Sequence, residues 1–298
     1  MTTQRDTDSL TGRETTGHEW DGIKELNTPL PKWWLYVFYA TVLWALVYVV
    51  LYPAIPWFSG HSKGMLGWSQ RVEFSERMAA GRAEQAKFRE RILDASLADI
   101  RGNPELLSFA LAGGRAAFAD NCAPCHGAGG SGRKGFPNLA DDAWLWGGTL
   151  DAIHQTIEYG IRSTHAETRQ SVMPSFGADG ILTPEQINDV AEYVLSLTNR
   201  SSDPAAVERG QTVFADQCVA CHGEKGAGNP ELGAPSLAGQ NWLYGGTKRD
   251  IVAQVTRPRL GVMPAWSGRL DPATIKMLAI YVHSLGGGQQ AAEKPASQ

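Results

Sequence analysis

Cysteine is scarce in this chain, with four residues among 298, all in two short runs. Charge of one sign is lacking too: the formal net charge is −4, so the total suggests no polyanionic partner and no nucleic acid. The sequence holds no paired-carboxylate motif, no nucleophile elbow and no phosphate-cradling glycine loop, so no site for catalysis on a substrate is expected. Residues 1–31 contain no apolar h-region, which argues against a cleavable signal peptide. From Trp33 to Ser62 there is no Lys, Arg, Asp or Glu at all. That excludes an ordinary solvated segment there.

The cysteines lie in Cys122-Ala-Pro-Cys125-His126 and Cys218-Val-Ala-Cys221-His222. C-x-x-C-H is the attachment signature of a c-type haem: two thiols add to the vinyl groups and the following His ligates iron. A redox dithiol does not need that His. A four-thiolate zinc site would use both pairs together, yet the pairs sit in separate copies of a longer repeat. Two covalently bound haems c are therefore expected, on Cys122 and Cys125 and on Cys218 and Cys221, with His126 and His222 as proximal ligands.

The repeat is read by direct alignment. Gly114-x-x-x-Phe118-x-x-x-Cys122 matches Gly210-x-x-x-Phe214-x-x-x-Cys218 at an offset of 96 residues. Pro137-Asn-Leu139 and Trp144-Leu-Trp-Gly-Gly-Thr149 match Pro235-Ser-Leu237 and Trp242-Leu-Tyr-Gly-Gly-Thr247 at 98. Met173-Pro174 matches Met263-Pro264 at 90, and the last helices match at 88. Those helices start at Thr183-Pro and Asp271-Pro, an N-cap followed by an N1 proline. Ile187, Val190, Ala191, Val194 and Leu197 then match Ile275, Leu278, Ala279, Val282 and Leu285 as one apolar face. The first copy carries eight extra residues before Met-Pro, expected as a surface loop within Arg162–Ser171.

Met173 and Met263 are the expected distal ligands, since a thioether closes the iron and raises its potential. Met277 is expected as core filler. His154, whose counterpart is Val252, and His165, in the inserted loop, are expected at the surface or in packing, as are His18, His61 and His283. Spacing leaves open whether each methionine serves its own repeat's haem or the other's.

Trp33 to Ile55 is almost wholly apolar, long enough as a helix for a bilayer core, with Trp33, Trp34, Tyr36, Tyr52, Trp57 and Phe58 at its ends. Lys and Arg flank the span on both sides, so the haem motifs set the orientation. Covalent haem attachment takes place outside the bacterial cytoplasmic membrane. A single pass is expected, with the N-terminus cytoplasmic and the haem domains periplasmic.

The fold class is mainly α, one N-terminal transmembrane helix followed by two tandem cytochrome c-like all-α domains. The boundaries read as an irregular tail 1–32, a span 33–58 and a charged helical connector 59–112 broken at Asn103-Pro104. Haem domains 113–200 and 201–288 follow, then a C-terminal tail 289–298. Residues 113–200 carry 6 basic and 10 acidic side chains, against 9 and 8 in 201–298, so the first haem segment is the acidic one.

N-terminal helix, C-x-x-C-H, Pro-x-Leu loop, Met-Pro and C-terminal helix together resemble the cytochrome c fold. That resemblance gives the carbonyls of Pro137 and Pro235 the role of orienting the axial His rings. Before the span stands Asp21-Gly-Ile-Lys-Glu-Leu26-Asn27-x-Pro29-Leu-Pro31-x-Trp33-Trp34, and after the connector Glu105-Leu-Leu-x-Phe-Ala-Leu-Ala-Gly-Gly-Arg115-Ala-Ala-Phe118. With these, residues 17–285 resemble the membrane-anchored dihaem subunit of cbb3-type cytochrome c oxidases, the CcoP/FixP type. The resemblance implies a bacterial inner-membrane complex that reduces oxygen to water and pumps protons. Its partners would be a catalytic subunit with b-type haems and copper, a monohaem c subunit, a cytochrome c donor and membrane lipid. A free membrane-tethered dihaem carrier, or a haem-based sensor or peroxidase, would share the haem motifs.

Overall fold

The computed structural model describes residues 6–289. The expected C-terminal tail 289–298 lies outside them except for Gln289, as do the first five residues of the N-terminal tail. The chain forms two compact units that divide after Glu84.

In the first unit the tail is not irregular. Strands β1 (Thr15–Trp20) and β2 (Ile23–Leu26) pair as an antiparallel hairpin. Asp21 and Gly22 both take positive φ, 49° and 82°. That is the pairing of conformations a two-residue type I′ turn requires, and Asp-Gly is among its preferred sequences. Lys24 pairs with Asp6, whose carboxylate also accepts the hydroxyl of the buried Thr15 at 2.6 Å.

Helix α1 (Lys32–Leu51) is 20 residues long, about 30 Å by the helical rise, and none of them is buried. Its apolar surface faces outward all round, which suits lipid rather than a protein core. The helix stops seven residues short of the expected end at 58. Tyr52 is extended, φ −115° and ψ 159°, because the following Pro53 disfavours the α conformation. Residues 52–58 instead lead into a small hairpin of β3 (Pro56–Trp57) and β4 (Gly60–His61). The chain is then strapped back on the helix end by Met65 N–H to Val50 O and Leu66 N–H to Leu51 O.

Helix α2 (Gln70–Asp94) follows, and its last turns belong to the second unit. Ile92 is fully buried there, and Phe88 stacks on Phe109 with centroids 5.0 Å apart. Then come α3 (Leu97–Gly102), capped by Ser96, and α4 (Pro104–Asn121), capped by Asn103, whose side chain accepts from the Glu105 and Leu106 amides. The break expected at Asn103-Pro104 is present. The boundary at 112/113 falls inside α4, so connector and haem segment share one helix.

The repeats continue as α5 (Ala123–His126), α6 (Leu150–Tyr159), α7 (Pro184–Ser196), α8 (Pro204–Gln217), α9 (Val219–His222), α10 (Lys248–Thr256) and α11 (Pro272–His283). Thr183 and Asp271 cap α7 and α11 as expected, Thr183 in a full capping box with Gln186.

The helices do not close repeat by repeat. The first core joins α3, α4 and α6 to α11: Ile100, Leu106, Phe118, Ile153 and Ile157 pack with Met277, Leu278 and Ile280. The second joins α7 to α8 and α10: Ile187, Val190, Ala191 and Val194 pack with Phe214, Ile251 and Val255. The structure thus departs from contiguous domains 113–200 and 201–288, because the terminal helices are exchanged. The short connection Leu197–Asp203 favours this, since closing α7 onto the next helix costs little loop entropy. Glu192 of α7 fastens the connection. It accepts from the Ser201 hydroxyl at 2.5 Å and the Ser202 amide at 3.2 Å, and pairs with Lys248 of α10 at 2.8 Å.

Candidate haem sites

Each C-x-x-C-H run forms a single helical turn continuing from the helix before it. Cys122 and Cys218 end α4 and α8, their amides bonded to the Phe118 and Phe214 carbonyls. The first cysteine of each pair is half-buried against its core, and the second is exposed. None of the four forms a disulfide. Burial, reinforced by the neighbouring Cys125 or Cys221, pushes the Cys122 and Cys218 thiols up to about 11.

The histidines are oriented as a haem requires. Nδ1 of His126 lies 3.0 Å from the Pro137 carbonyl, and Nδ1 of His222 lies 3.0 Å from that of Pro235. A carbonyl only accepts, so Nδ1 carries the proton and Nε2 keeps its lone pair for iron. Burial holds both rings below the ordinary imidazole value, in the neutral form that ligates metal. Both turns therefore fit the group the motif implies.

The methionines lie on exchanged cores. Met263, from the second repeat, packs against the first core together with Cys122, Ala123 and Trp144. Its backbone exchanges hydrogen bonds with Ile161 at 2.9 and 3.0 Å, directly after α6. Trp266 adds a bond to the Ile157 carbonyl at 3.2 Å. Met173, from the first repeat, packs against the second core together with Cys218, Val219 and Trp242. Its loop is fastened to the end of α10 by the Ala178 amide on the Thr256 carbonyl, 3.0 Å. Of the two arrangements left open by spacing, the packing matches the crossed one.

His154 pairs with Glu158 at 3.4 Å on α6, and His165 stacks on Tyr159 with centroids 4.8 Å apart. Met277 is buried in the first core. The loop Arg162–Ser171 is more than surface. Arg162 Nε donates to the Gly261 carbonyl at 2.8 Å, and Arg169 donates to Thr156 and Gln155 while its guanidinium lies 5.2 Å from the Trp146 ring. Sequence reasoning missed both arginines. One signal was available: Arg169 stands four residues before Met173, as Arg259 stands four before Met263.

Two such turns, one on each core, behind an apolar helix of membrane length define a membrane-anchored dihaem cytochrome of the c type. Comparison with known proteins narrows the class. Family models match residues 12–59 (N-terminal domain of cytochrome oxidase-cbb3, FixP), 111–198 (cytochrome c) and 205–282 (cytochrome c oxidase, cbb3-type, subunit III). The cbb3-type cytochrome c oxidase subunit CcoP of Azospirillum brasilense is 56% identical over 293 residues, covering 96% of this chain and 99% of that one. Subunit FixP of Bradyrhizobium diazoefficiens is 51% identical over 293 residues, covering 97% and 100%. Subunit FixP of Azorhizobium caulinodans is 54% identical over 283, covering 95% and 96%. The chain belongs to the CcoP/FixP family of cbb3-type cytochrome c oxidase subunits. It is an electron-transfer subunit with two covalently bound c-type haems.

Proposed function

We propose that this chain is the electron entry of its oxidase. It accepts electrons from a cytochrome c and passes them through its two haems toward a separate catalytic subunit with b-type haems and copper, beside a monohaem c subunit. Reduction of oxygen to water and proton pumping belong to that catalytic subunit. One apolar span and the absence of a substrate-catalysis motif support this division. The chain sits in the bacterial inner membrane by a single pass, N-terminus cytoplasmic and haem segments periplasmic, as covalent haem attachment requires.

Cys122 and Cys125 hold the first haem and Cys218 and Cys221 the second, with His126 and His222 as proximal ligands. Met263 closes the first iron and Met173 the second. The haems, when bound, supply the one-electron chemistry. The chain attaches them, fixes each His ring through Pro137 or Pro235, and excludes outside ligands with a thioether. The observation that carries the ligand assignment is that Met263 and Cys122 pack against one core, and Met173 and Cys218 against the other.

The test uses full-length protein with a single attachment site. In C218S/C221S protein, Met263→His should abolish the Met–iron charge-transfer band and Met173→His should leave it. The reverse result would establish ligation within each repeat.

A further inference from the structure

Two aromatic side chains lie between the cores, each leaning on segments that serve the other haem. Tyr244 stands two residues after Trp242, which packs on the second core. Its ring nevertheless lies beside Gly135, where an added Cβ would stand 3.9 Å from it. Its hydroxyl oxygen accepts the Gly261 amide at 3.0 Å. Gly135 is two residues before Pro137, whose carbonyl orients His126, and Gly261 is two residues before Met263. Around the same contact the Leu243 carbonyl accepts the Gly135 amide at 2.7 Å, and Lys134 reaches Asp250 at 2.9 Å. Tyr244 thus touches the proximal and the distal loop of the first haem site, though it is carried by the second repeat.

Trp146 is the counterpart of Tyr244 at the offset of 98, and it makes the mirrored contact. Its neighbour Trp144 packs on the first core, but its own indole covers Gly233 so closely that any Cβ there would overlap the ring. Gly233 is two residues before Pro235, which orients His222. The face of Trp146 also receives the Arg169 guanidinium, four residues before Met173, just as Tyr244 receives Arg259 at 5.7 Å. Trp146 is buried, so these contacts are made out of water.

We propose that Tyr244 and Trp146 are reciprocal positioning residues: Tyr244 of the second repeat fixes the ligand loops of the first haem, and Trp146 of the first repeat fixes those of the second. The distal half of this inference rests on the crossed methionine assignment; the proximal half rests on Gly135 and Gly233 alone. The potential of a c-type haem depends on its axial ligands, the hydrogen bonds that orient them and its access to water. A side chain that holds both loops therefore sets the potential of a haem it is not attached beside in sequence. An ordinary packing role would predict no redox effect, or one on the haem nearest in sequence.

Tyr244→Phe keeps the ring and deletes the acceptor for the Gly261 amide, and Trp146→Phe keeps an aromatic while shrinking the cover over Gly233. Both are conservative enough to retain the fold, which haem content and the melting curve check. Each is placed in the full-length oxidase complex and, for assignment, beside C122S/C125S or C218S/C221S. Potentiometric titration and the Met–iron band are then read for each haem. Tyr244→Phe should change the reduction equilibrium of the haem on Cys122 and Cys125 by about tenfold, 59 mV for one electron, with less than about a twofold change in the other. Trp146→Phe should do the same to the haem on Cys218 and Cys221. A shift of the opposite haem, equal shifts of both, or no shift in either would overturn the proposal. The methionine assignment is judged separately by the Met263→His and Met173→His bands, so its failure is not confused with this one.

Discussion

Gly114 of α4 lies directly under the backbone of Met277 on α11: an added Cβ would collide with the Met277 carbonyl oxygen and stand 2.7 Å from the Tyr281 Cβ. Gly210 of α8 meets the Asp189 carbonyl and stands in the same way 3.0 Å from the Tyr193 Cβ. Asp189 and Tyr193 are the counterparts of Met277 and Tyr281 at the offset of 88. One helix crossing is therefore made twice, with its partners exchanged. Phe118 meets Tyr281 with centroids 5.4 Å apart, and Phe214 meets Tyr193 at 5.0 Å.

The first expectation follows from that crossing. Gly114→Ala must push α11 away from α4, an overpacking cost of about 1–3 kcal/mol. The damage should fall on the haem of Cys122 and Cys125, seen as a lower melting midpoint of its Met–iron band. Gly210→Ala should do the same to the haem of Cys218 and Cys221. If Gly114→Ala left the first haem's band unchanged, the α4–α11 crossing would not be what holds that site.

Truncating an exchanged ring gives a second expectation. Phe118 is 1% exposed, and Phe118→Ala leaves a cavity costing about 3–5 kcal/mol. Tyr193→Ala, although it lies in the first repeat, should destabilise the second haem's core and spare the first. Hydrogen exchange on α8 and α4 separates the two cases: faster exchange in α8 alone is expected for Tyr193→Ala.

The chemistry was legible in the sequence because spacing states it outright. C-x-x-C-H closes a helical turn after each first helix, and Thr183 and Asp271 cap the last helices as expected. The exchange was not legible, for a physical reason. Periodicity shows which face of α7 or α11 is apolar but not which helix covers it, and the two repeats present the same face. Tyr193 and Tyr281 offer the same ring at equivalent positions, so α4 and α8 could each accept either. Two further departures do have local signals in the sequence: Asp21-Gly22 marks the hairpin turn, and Pro53 ends α1 before Trp57 and Phe58. Glu192 carried no signal, since its counterpart on α11 is Ile280.

Glu192 gives the pH expectation. Lys248 first, then the Ser201 hydroxyl and the Ser202 amide, hold its carboxyl below the ordinary value of 4.5. A carboxylate whose folded pKa is lowered contributes stability that is fully present above the unfolded value and is lost as pH falls through the folded one. Unfolding of the second core should therefore steepen on acidification below about pH 4.5. Glu192→Gln should be less stable at neutral pH and flatten that acid limb. An unchanged acid limb in the variant would remove Glu192 from the account.

The last expectation concerns the docked end of the connector. Lys276 of α11 donates to the carbonyls of Leu93 at 2.6 Å, Ala95 at 2.7 Å and Ile92 at 3.3 Å. These are carbonyls around the end of α2, where the last C=O groups have no intrahelical donor and where the helix dipole favours a cation. Arg89 adds a second tie, to Asp271 at 2.5 Å and Thr274 at 3.0 Å. The ammonium thus fixes the connector to the same helix that closes the first haem core, and Ile92 is buried beneath it. Lys276→Met keeps most of the stem while removing the charge, and leaves three carbonyls without that donor. A local loss of about 1.5–3 kcal/mol is expected, the usual worth of a hydrogen bond to a charged group. It should appear as roughly ten- to a hundredfold faster hydrogen exchange in the last turns of α2, with the second core unaffected. Exchange that stayed at the parental rate would mean that Ile92 and Phe88 hold the connector without the lysine.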